Sequence, residues 1–244
     1  MSAGEIPEIS VVVPVCNEEG NVVPLLHEIS VALSAFRHEI LFIDDGSTDG
    51  TLAALRAARS DGFTALRILQ HSSRRGQSAA LCSGVRAARA PWIATLDGDG
   101  QNDPADIPRL YAERARADLI IGHRTTRRDT AMRRMQSRIA NVVRGKMLGD
   151  QTPDAGCGIK VMNRELFLQL PRFDHMHRFL PALFRREGAE VLSVPVNHRE
   201  RGHGVSKYGL FDRLWVGIVD IFGVMWLRRR HRSGLSVLED EHAS

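Results

Sequence analysis

The chain of 244 residues has only three cysteines, no signal-like N-terminus and no apolar run long enough to cross a membrane. Cys16, Cys82 and Cys157 lie far apart and form no CxxC pair, so we expect neither a disulfide framework nor a zinc site. Free cysteines indicate a reducing compartment, and the first ten residues, which carry two glutamates, predict no signal peptide. The apolar segment 214–227 is shorter than the roughly 20 residues of a spanning helix. These absences favour a protein on the cytoplasmic side.

The net charge of +4 is small, but basic residues are concentrated in two segments. Residues 124–146 contain eight Arg or Lys and a single acid, Asp129, and residues 228–232 are four arginines and a histidine. Such segments suggest a polyanionic partner: phospholipid headgroups, a phosphorylated lipid or nucleic acid. An ordinary solvated surface is the alternative that the charge pattern leaves open.

Short apolar runs alternate with amphipathic segments over the first half of the chain. The predicted strands are 9–15, 39–43, 66–70, 92–96 and 118–121. The predicted helices between them are 21–36, 51–59 and 77–89. This alternation predicts an α/β fold with a mostly parallel sheet flanked by helices. Later in the chain we expect a strand running into a helix at 161–170, a helix at 178–187 and a strand at 191–198.

Three short acidic motifs each follow one of the predicted strands. They are Pro14-Val15-Cys16-Asn17-Glu18, Asp44-Asp45-Gly46-Ser47-Thr48-Asp49-Gly50-Thr51 and Asp97-Gly98-Asp99-Gly100-Gln101. In open α/β sheets, ligands bind beyond the carboxyl ends of the strands. Carboxylates gathered at that edge suit a nucleotide, a divalent metal and a diphosphate.

The residue types within these motifs suggest separate tasks. Asp97, Asp99 and Gln101 offer hard oxygen ligands for Mg²⁺ or Mn²⁺, which would bridge diphosphate oxygens. Asp45 can accept a hydrogen bond from a base or a ribose hydroxyl. The three residues after Gly46 are good helix caps, and we assign capping of the helix at 51–59 to Ser47, Thr48 and Asp49.

In this order, the motifs resemble those of inverting family 2 glycosyltransferases with a GT-A-type (Rossmann-like) fold. The likeness runs from residue 9 to about 210, and it is closer to dolichol-phosphate mannosyltransferase and its bacterial polyprenyl-phosphate relatives. The late motif Arg201-x-x-Gly204-x-Ser206-Lys207 is the most discriminating element, because generic sugar transferases of the family commonly lack it.

The resemblance implies a role for each matching position. Nucleoside contacts are implied for Pro14, Cys16, Glu18, Ile43 and Asp45. Diphosphate and metal contacts are implied for Asp97, Gly98, Asp99 and Gln101. Contacts with phosphates near the transferring sugar are implied for Arg124, Arg201 and Lys207, which with Asp99 form the implied catalytic set. Two positions depart from the family pattern, since Cys16 replaces an aromatic residue that could stack on the base and Gly100 replaces a leucine.

The resemblance also implies a reaction: inverting transfer of a hexose from a nucleotide-diphosphate sugar to a polyprenyl (dolichyl or undecaprenyl) phosphate, with Mg²⁺ or Mn²⁺ as cofactor. Mannose is the favoured sugar, and glucose, an aminosugar, an aminoarabinose derivative and galacturonate stay open. The base of the donor nucleotide, guanine or uracil, stays open too. A phosphate monoester has its second pKa near ~6, so this acceptor needs no strong general base. We therefore expect Asp154 to act as a base only in relatives with hydroxyl acceptors.

Two other functions are compatible with parts of the sequence. The same donor chemistry could serve a hydroxyl of a lipid or polysaccharide, although Arg201 and Lys207 argue against it. A nucleic-acid-binding α/β protein could use the basic segment 124–146, but the acidic motifs would then be unexplained and would repel phosphate without metal. We therefore expect no nucleic-acid partner.

We expect a catalytic domain over 1–210 and an amphipathic, membrane-associating helix with a basic tail over 211–244. Segment 214–227 has a tryptophan near each end and precedes arginines, as interfacial helices do. A second basic amphipathic helix, predicted at 132–147, is where a lipid phosphate could approach. Packing on the catalytic domain is the alternative for both helices, and 214–227 could do both. The expected location is peripheral, at the cytoplasmic membrane face, with lipid or a membrane-protein partner holding the chain there.

Overall fold

The computed structural model describes residues 5–124, 145, 147–150, 152–197, 199 and 210–230, and for 210–218 the backbone alone. Most of the helix predicted at 132–147 lies outside the described residues. Arg201 and Lys207 also lie outside them.

Strands and helices alternate along the described chain. The strands are β1 (Ile9–Val15), β2 (His38–Asp44), β3 (Leu66–Gln70), β4 (Trp92–Thr95), β5 (Leu119–Arg124), β6 (Lys160–Asn163) and β7 (Val191–Val196). The helices are α1 (Glu19–Ala32), α2 (Thr51–Ser60), α3 (Gln77–Ala87), α4 (Ile107–Ala112), α5 (Arg164–Gln169), α6 (Leu180–Arg186) and α7 (Leu210–Arg229). Short 3₁₀ turns lie at Pro104–Asp106, Glu113–Ala115 and Met176–Arg178.

The predicted elements that fall within the described residues are confirmed, with differences at their ends. Helix α1 stops at Ala32 instead of residue 36, because the chain turns there and the Phe36 N–H donates to the Leu33 carbonyl at 2.9 Å. The helix predicted at 178–187 begins as the 3₁₀ turn Met176–Arg178 and continues as α6.

The seven strands form one mixed sheet in the order β3-β2-β1-β4-β6-β5-β7. β1 pairs in parallel with β2 and β4, β2 with β3, and β5 with β7. Only β6 among the described strands is antiparallel to its neighbours β4 and β5. The predicted, mostly parallel GT-A-type sheet is therefore confirmed. The reversal of β6 was not predicted, because an apolar run does not reveal strand direction.

The core lies on both faces of the sheet, as the unbroken apolar strands predict. Val11 and Val13 of β1 pack on the face covered by α1, α2 and α4. Val12 points to the opposite face, which α3, α5 and α6 cover. This alternation follows from the two-residue period of a strand. Because both faces are covered, a ligand must approach at the strand ends.

Over residues 219–229, where its side chains are described, helix α7 packs one face on the domain. Ile221, Val224 and Met225 join the core cluster that contains α3 and α6. On the other face, Val219, Phe222 and Trp226 are 54%, 59% and 60% exposed. Among the described residues, no helix has the length and apolarity needed to span a bilayer.

Candidate active site

Hydrogen bonds join the first two acidic motifs at the carboxyl ends of β1 and β2. The Asn17 N–H donates to Ser47 Oγ at 2.9 Å, and the Thr48 N–H donates to Asn17 Oδ1 at 2.7 Å. The Glu18 N–H donates to Thr51 Oγ1 at 2.8 Å. Asn17 has a left-handed backbone (φ 56°), which asparagine tolerates better than most residues. The two turns therefore form one rigid rim.

These contacts correct part of the capping prediction. The N-cap residue of α2 is Gly50, which has no side chain that could accept a hydrogen bond from the helix. Asp49 does reach the helix, because its Oδ1 accepts from the Thr51 N–H at 3.0 Å. Ser47 and Thr48 bond to Asn17 instead, so the prediction that they cap α2 is wrong.

The residues expected to hold a nucleoside divide into two groups. Pro14, Cys16 and Glu18 are partly exposed along this rim, and Glu18 accepts from Asn21 Nδ2 at 2.6 Å. Ile43 pairs with Pro14 across the sheet, but its side chain is fully buried in the core. The whole residue has no exposed surface and lies between β1 and β3, so Ile43 supports this rim from behind.

Asp45 is nearly buried and binds a neighbouring loop. Its Oδ1 accepts from His71 Nδ1 at 2.7 Å and from the Arg75 N–H at 2.8 Å, while Oδ2 accepts from the Gly76 N–H at 2.7 Å. The sequence motif alone gave no indication of these partners, because the loop follows β3, more than twenty residues further along the chain.

The third motif forms a tight turn after β4. The Gln101 N–H donates to Asp99 Oδ1 at 3.1 Å, and the Asp97 N–H donates to Asn102 Oδ1 at 3.1 Å. Gly100 has φ +72°, a left-handed conformation that favours glycine over the leucine common in the family. The departure at Gly100 therefore fits the turn adopted here.

Two neighbouring segments contact this turn: the residues before β6 and the first turn of α3. A side chain at Gly158 would overlap Asp97 Oδ2 and Asn102 Oδ1, so only glycine allows the segment before β6 to approach this closely. From the first turn of α3, Gln77 Nε2 donates to Asp97 Oδ1 at 2.8 Å. The position of the Asp97 carboxyl is thus fixed by the segment before β6 and by α3 together.

The Asp97 carboxyl is a site of concentrated negative charge. Burial raises its pKa, and so does the negative charge of Asp99, whereas Lys160, Gln77 and Arg124 offset part of that rise. A divalent cation would relieve this repulsion. No group of three or more His, Cys, Asp or Glu side chains converges on one point within the described part of the chain. Two carboxylates and the Gln101 amide nevertheless suit Mg²⁺ or Mn²⁺, whose other ligands are commonly waters and substrate phosphates.

Arg124, at the end of β5, is paired with Asp154. Its Nε and Nη2 donate to the two carboxylate oxygens at 2.6 and 2.8 Å, and both side chains are largely buried. Burial opposes the charge, but the bond to Asp154 outweighs it and raises the pKa of Arg124. Three of the five guanidinium N–H groups have no partner among the described residues, so they can serve an anion.

Lys160 is a site residue that the sequence reasoning missed. It starts β6, is buried, and donates from Nζ to the Cys157 carbonyl. Burial lowers its pKa, Arg124 lowers it further, and the nearby Cys157, Asp97 and Asp154 oppose that change. A lysine that opens an otherwise apolar strand was the available signal.

His177 is a second residue that was missed. Its Nδ1 lies 2.7 Å from the Oγ of Ser78, which directly follows Gln77 on α3. Burial and the positive charge of Lys160 lower the pKa of His177 to about 3. The ring is therefore neutral at physiological pH. Its place in the 3₁₀ turn Met176–Arg178 depends on tertiary packing that no local pattern encodes.

The fold and this acidic, metal-compatible edge define a GT-A-type glycosyltransferase. The profile of glycosyl transferase family 2 matches residues 10–170, and the chain belongs to that family. The match covers the acidic motifs, Arg124, Asp154 and Lys160.

Two curated relatives are similar over most of this chain. Dodecaprenyl-phosphate galacturonate synthase of Rhizobium johnstonii is 38% identical over 229 residues, which cover 91% of this chain and 68% of the relative. Undecaprenyl-phosphate 4-deoxy-4-formamido-L-arabinose transferase of Aeromonas hydrophila is 33% identical over 214 residues, which cover 86% and 65%. The chain therefore spans about two thirds of the length of these relatives.

Among solved structures, glucosyl-3-phosphoglycerate synthase from Mycobacterium tuberculosis has the same fold. The complex of that protein with Mn²⁺, uridine diphosphate and phosphoglyceric acid superposes with a TM-score of 0.70 at 20% identity. The alignment covers 93% of this chain and 80% of that one. At this identity the likeness supports the GT-A-type architecture alone.

Proposed function

We propose that this protein transfers a sugar from a nucleoside-diphosphate donor to a polyprenyl phosphate. The observation that carries the proposal is the meeting of the Asp97–Asp99 turn with two cations, Arg124 and Lys160, at one sheet edge. Such a site can hold a metal-bound diphosphate and still attract a second phosphate. The names of the two curated relatives, both polyprenyl-phosphate enzymes, support the same acceptor class.

The donor would lie along the rim made by the first two motifs. Asp45 and the partly exposed Pro14, Cys16 and Glu18 would contact the nucleoside. Asp97, Asp99 and Gln101 would hold Mg²⁺ or Mn²⁺, which when bound neutralises charge on the leaving diphosphate. The Asn102 and Gln77 bonds keep the Asp97 carboxyl in place.

The acceptor would attack with an oxygen that is already anionic. A phosphate oxygen forms a bond to the anomeric carbon while the bond from that carbon to the donor diphosphate breaks, and the nucleoside diphosphate leaves. Since the second pKa of a phosphate monoester is near ~6, no residue has to remove a proton. Asp154 fits this scheme as the partner that aims Arg124, because both of its oxygens accept from that guanidinium.

Positive charge is the contribution that the protein must make to such a reaction. Two polyanions have to approach each other, and fixed cations lower the cost of bringing them together. Arg124 has N–H groups without a partner in the part of the chain that the structure describes, and Lys160 adds a buried charge. We retain the prediction that Arg201 and Lys207 add further phosphate contacts.

The sugar is proposed from the relatives. The proteins from R. johnstonii and A. hydrophila are named for galacturonate and 4-deoxy-4-formamido-L-arabinose. We therefore place these two sugars ahead of mannose, which the sequence resemblance favoured. Both UDP- and GDP-linked donors belong in the test, because the sequence leaves guanine and uracil open.

Association with the membrane surface is proposed for α7. Its outer face carries Val219, Phe222 and Trp226, and arginines follow at its end. Aromatic and aliphatic side chains next to basic residues suit an anionic lipid surface. We propose that 1–210 forms the catalytic part and that 211–244 contributes to holding it at the cytoplasmic face, alone or with a membrane-protein partner.

The proposal is tested by comparing two acceptors. The purified protein is incubated with UDP-galacturonate and other UDP- or GDP-linked sugars, Mn²⁺ or Mg²⁺, and either polyprenyl phosphate or the matching polyprenol. Sugar transfer to the phosphate alone is the expected result. Transfer to the polyprenol would support the hydroxyl-acceptor alternative, and transfer to neither with any donor would contradict the proposal.

A further inference from the structure

Asp45, His71 and Ser83 form a chain of hydrogen bonds behind the nucleoside rim. Asp45 Oδ1 lies 2.7 Å from His71 Nδ1, and His71 Nε2 lies 2.9 Å from Ser83 Oγ. The three residues come from the end of β2, the end of β3 and the middle of α3. The Asp45 and His71 side chains are 5% and 17% exposed, so water contributes little to their orientation.

The chemistry of the three groups fixes the direction of the bonds. An ionised carboxylate only accepts, so His71 Nδ1 must carry the proton that it donates to Asp45. In the neutral ring, Nε2 is then the acceptor, and the Ser83 hydroxyl donates to it. Asp45 therefore imposes the tautomer, and Ser83, whose hydroxyl can donate or accept, orients the ring.

A count of acceptor positions shows what Asp45 has left for a ligand. A carboxylate offers about four lone-pair directions. Oδ1 uses two of them, for His71 and for the Arg75 N–H, and Oδ2 uses one, for the Gly76 N–H. One direction on Oδ2 has no partner in the described part of the chain. That direction can accept a single N–H or O–H.

The surrounding backbone leaves little freedom for the carboxylate to turn. Gly46, with φ +69°, lies against the backbone of Ser73 and Arg74, where a Cβ would come within 2.7 Å of the Arg74 nitrogen. The turn after β2 and the loop after β3 therefore pack directly on each other. Ser83 of α3 adds a further contact through its hydrogen bond to His71.

We propose that His71 and Ser83 are positioning residues, which hold Asp45 so that Oδ2 accepts one hydrogen bond from the nucleoside of the donor. The inference rests on the proposed function, since it needs a nucleotide at this rim. It adds two residues, distant in sequence, to the set that determines donor affinity. It also limits the contribution of Asp45 to one hydrogen bond from a ribose hydroxyl or a base N–H.

The experiment pairs protein variants with edited nucleotides. Binding of UDP and GDP is measured by titration calorimetry with Mn²⁺ for the wild type, His71→Ala, His71→Asn and Ser83→Ala. The nucleotide that binds is then replaced by analogues that lack the 2′-hydroxyl, lack the 3′-hydroxyl or carry a methyl on the base N–H. His38→Ala is the matched control, because His38 lies on β2 at the end away from the rim.

The expected result is a loss of affinity that depends on the analogue. His71→Ala should weaken nucleotide binding about tenfold, and His71→Asn, whose amide can replace Nδ1–H, should stay within about threefold of wild type. The wild type should bind one analogue more weakly than the unmodified nucleotide, and this difference in affinity should be smaller in His71→Ala. If His71→Ala does not fold, the difference should be partly reduced in Ser83→Ala.

Two outcomes separate the inference from the function on which it rests. If the wild type binds nucleotide but no analogue is penalised, or if the penalty is equal in all variants, the positioning role is wrong and the function stands. If the wild type binds neither nucleotide, the proposed function fails and the inference fails with it.

Discussion

The guanidinium of Arg124 donates two hydrogen bonds, of 2.6 and 2.8 Å, to the carboxylate of Asp154. The pair joins the end of β5 to the turn before β6, next to the acidic turn that follows β4. A carboxylate that pairs with a guanidinium is stabilised in its charged form, so it is a weaker base than a free one. The proposed function uses Asp154 as the partner of Arg124 and requires no base at this position.

Asp154→Asn is therefore expected to reduce the turnover number with polyprenyl phosphate by no more than about tenfold, since the amide keeps one hydrogen bond to Arg124. Removal of a general base would cost far more, about 10²–10⁴-fold. Initial rates at saturating substrates measure the difference. Asp154→Ala is the companion variant and should lower the free energy of unfolding by about 3 kcal/mol, because it leaves a buried charge unpaired.

Lys160→Met should impair the reaction. A methionine fills the space of the buried lysine, but loss of one buried charge leaves Asp97 with less compensation, so the free energy of unfolding of the variant is measured beside its rate. Loss of one fixed cation at the leaving diphosphate should lower kcat by about 10²-fold. Arg67→Met, which removes a cation on the distant part of β3, serves as the control. Equal rates for Lys160→Met and wild type would contradict a role for this charge.

His177 should make stability depend on pH. The folded protein keeps its ring neutral, with a pKa of about 3, whereas a histidine in the unfolded chain binds a proton near its ordinary value of 6.5. Protonation therefore favours unfolding: the stabilisation is complete above 6.5 and is lost as the pH falls from 6.5 towards 3. By pH 5 the loss should reach about 2 kcal/mol.

Chemical denaturation at pH 7 and pH 5 measures this effect for the wild type and for His177→Gln, which does not titrate. The wild type should lose more stability than the variant between these two values. A loss of the same size in both proteins would show that the His177 ring is charged or solvated in the folded state.

The outer face of α7 should determine binding to lipid. Phe222→Ser and Trp226→Ser each remove about 1–2 kcal/mol of apolar transfer energy, so each should weaken binding to vesicles containing anionic phospholipid about tenfold. Val31→Ser is the control, because Val31 is also an exposed apolar residue, at 68%, but lies on α1. Vesicle co-sedimentation that gave the same affinity for all four proteins would exclude this surface.

The sequence predicted those features that depend on neighbours along the chain. The full extent of β1 was predicted, because both of its faces are buried and every residue is apolar or small. The acidic motifs were predicted at strand ends because each directly follows such an apolar run. The direction of β6 was not predicted, because it depends on its pairing with both β4 and β5.

The supporting residues of the site were harder to predict. His71, Lys160 and His177 each act on a partner at least 26 residues away along the chain: Asp45, Asp97 and Ser78 respectively. A single histidine or lysine in a sequence carries no sign of such a partner. Ser47 and Thr48 show the converse, since a local capping preference lost to hydrogen bonds with the neighbouring loop.

Mass spectrometry of the lipid product tests the central claim most directly. Wild-type protein and Asp99→Ala are incubated with a UDP- or GDP-linked sugar, polyprenyl phosphate and Mn²⁺, and the lipid fraction is analysed. The account predicts a polyprenyl monophosphate that is heavier by one sugar residue, with one nucleoside diphosphate released per transfer, and at least about a 10²-fold loss in Asp99→Ala. A wild-type lipid fraction unchanged with every donor, together with unaltered nucleotide binding in Asp99→Ala, would contradict it.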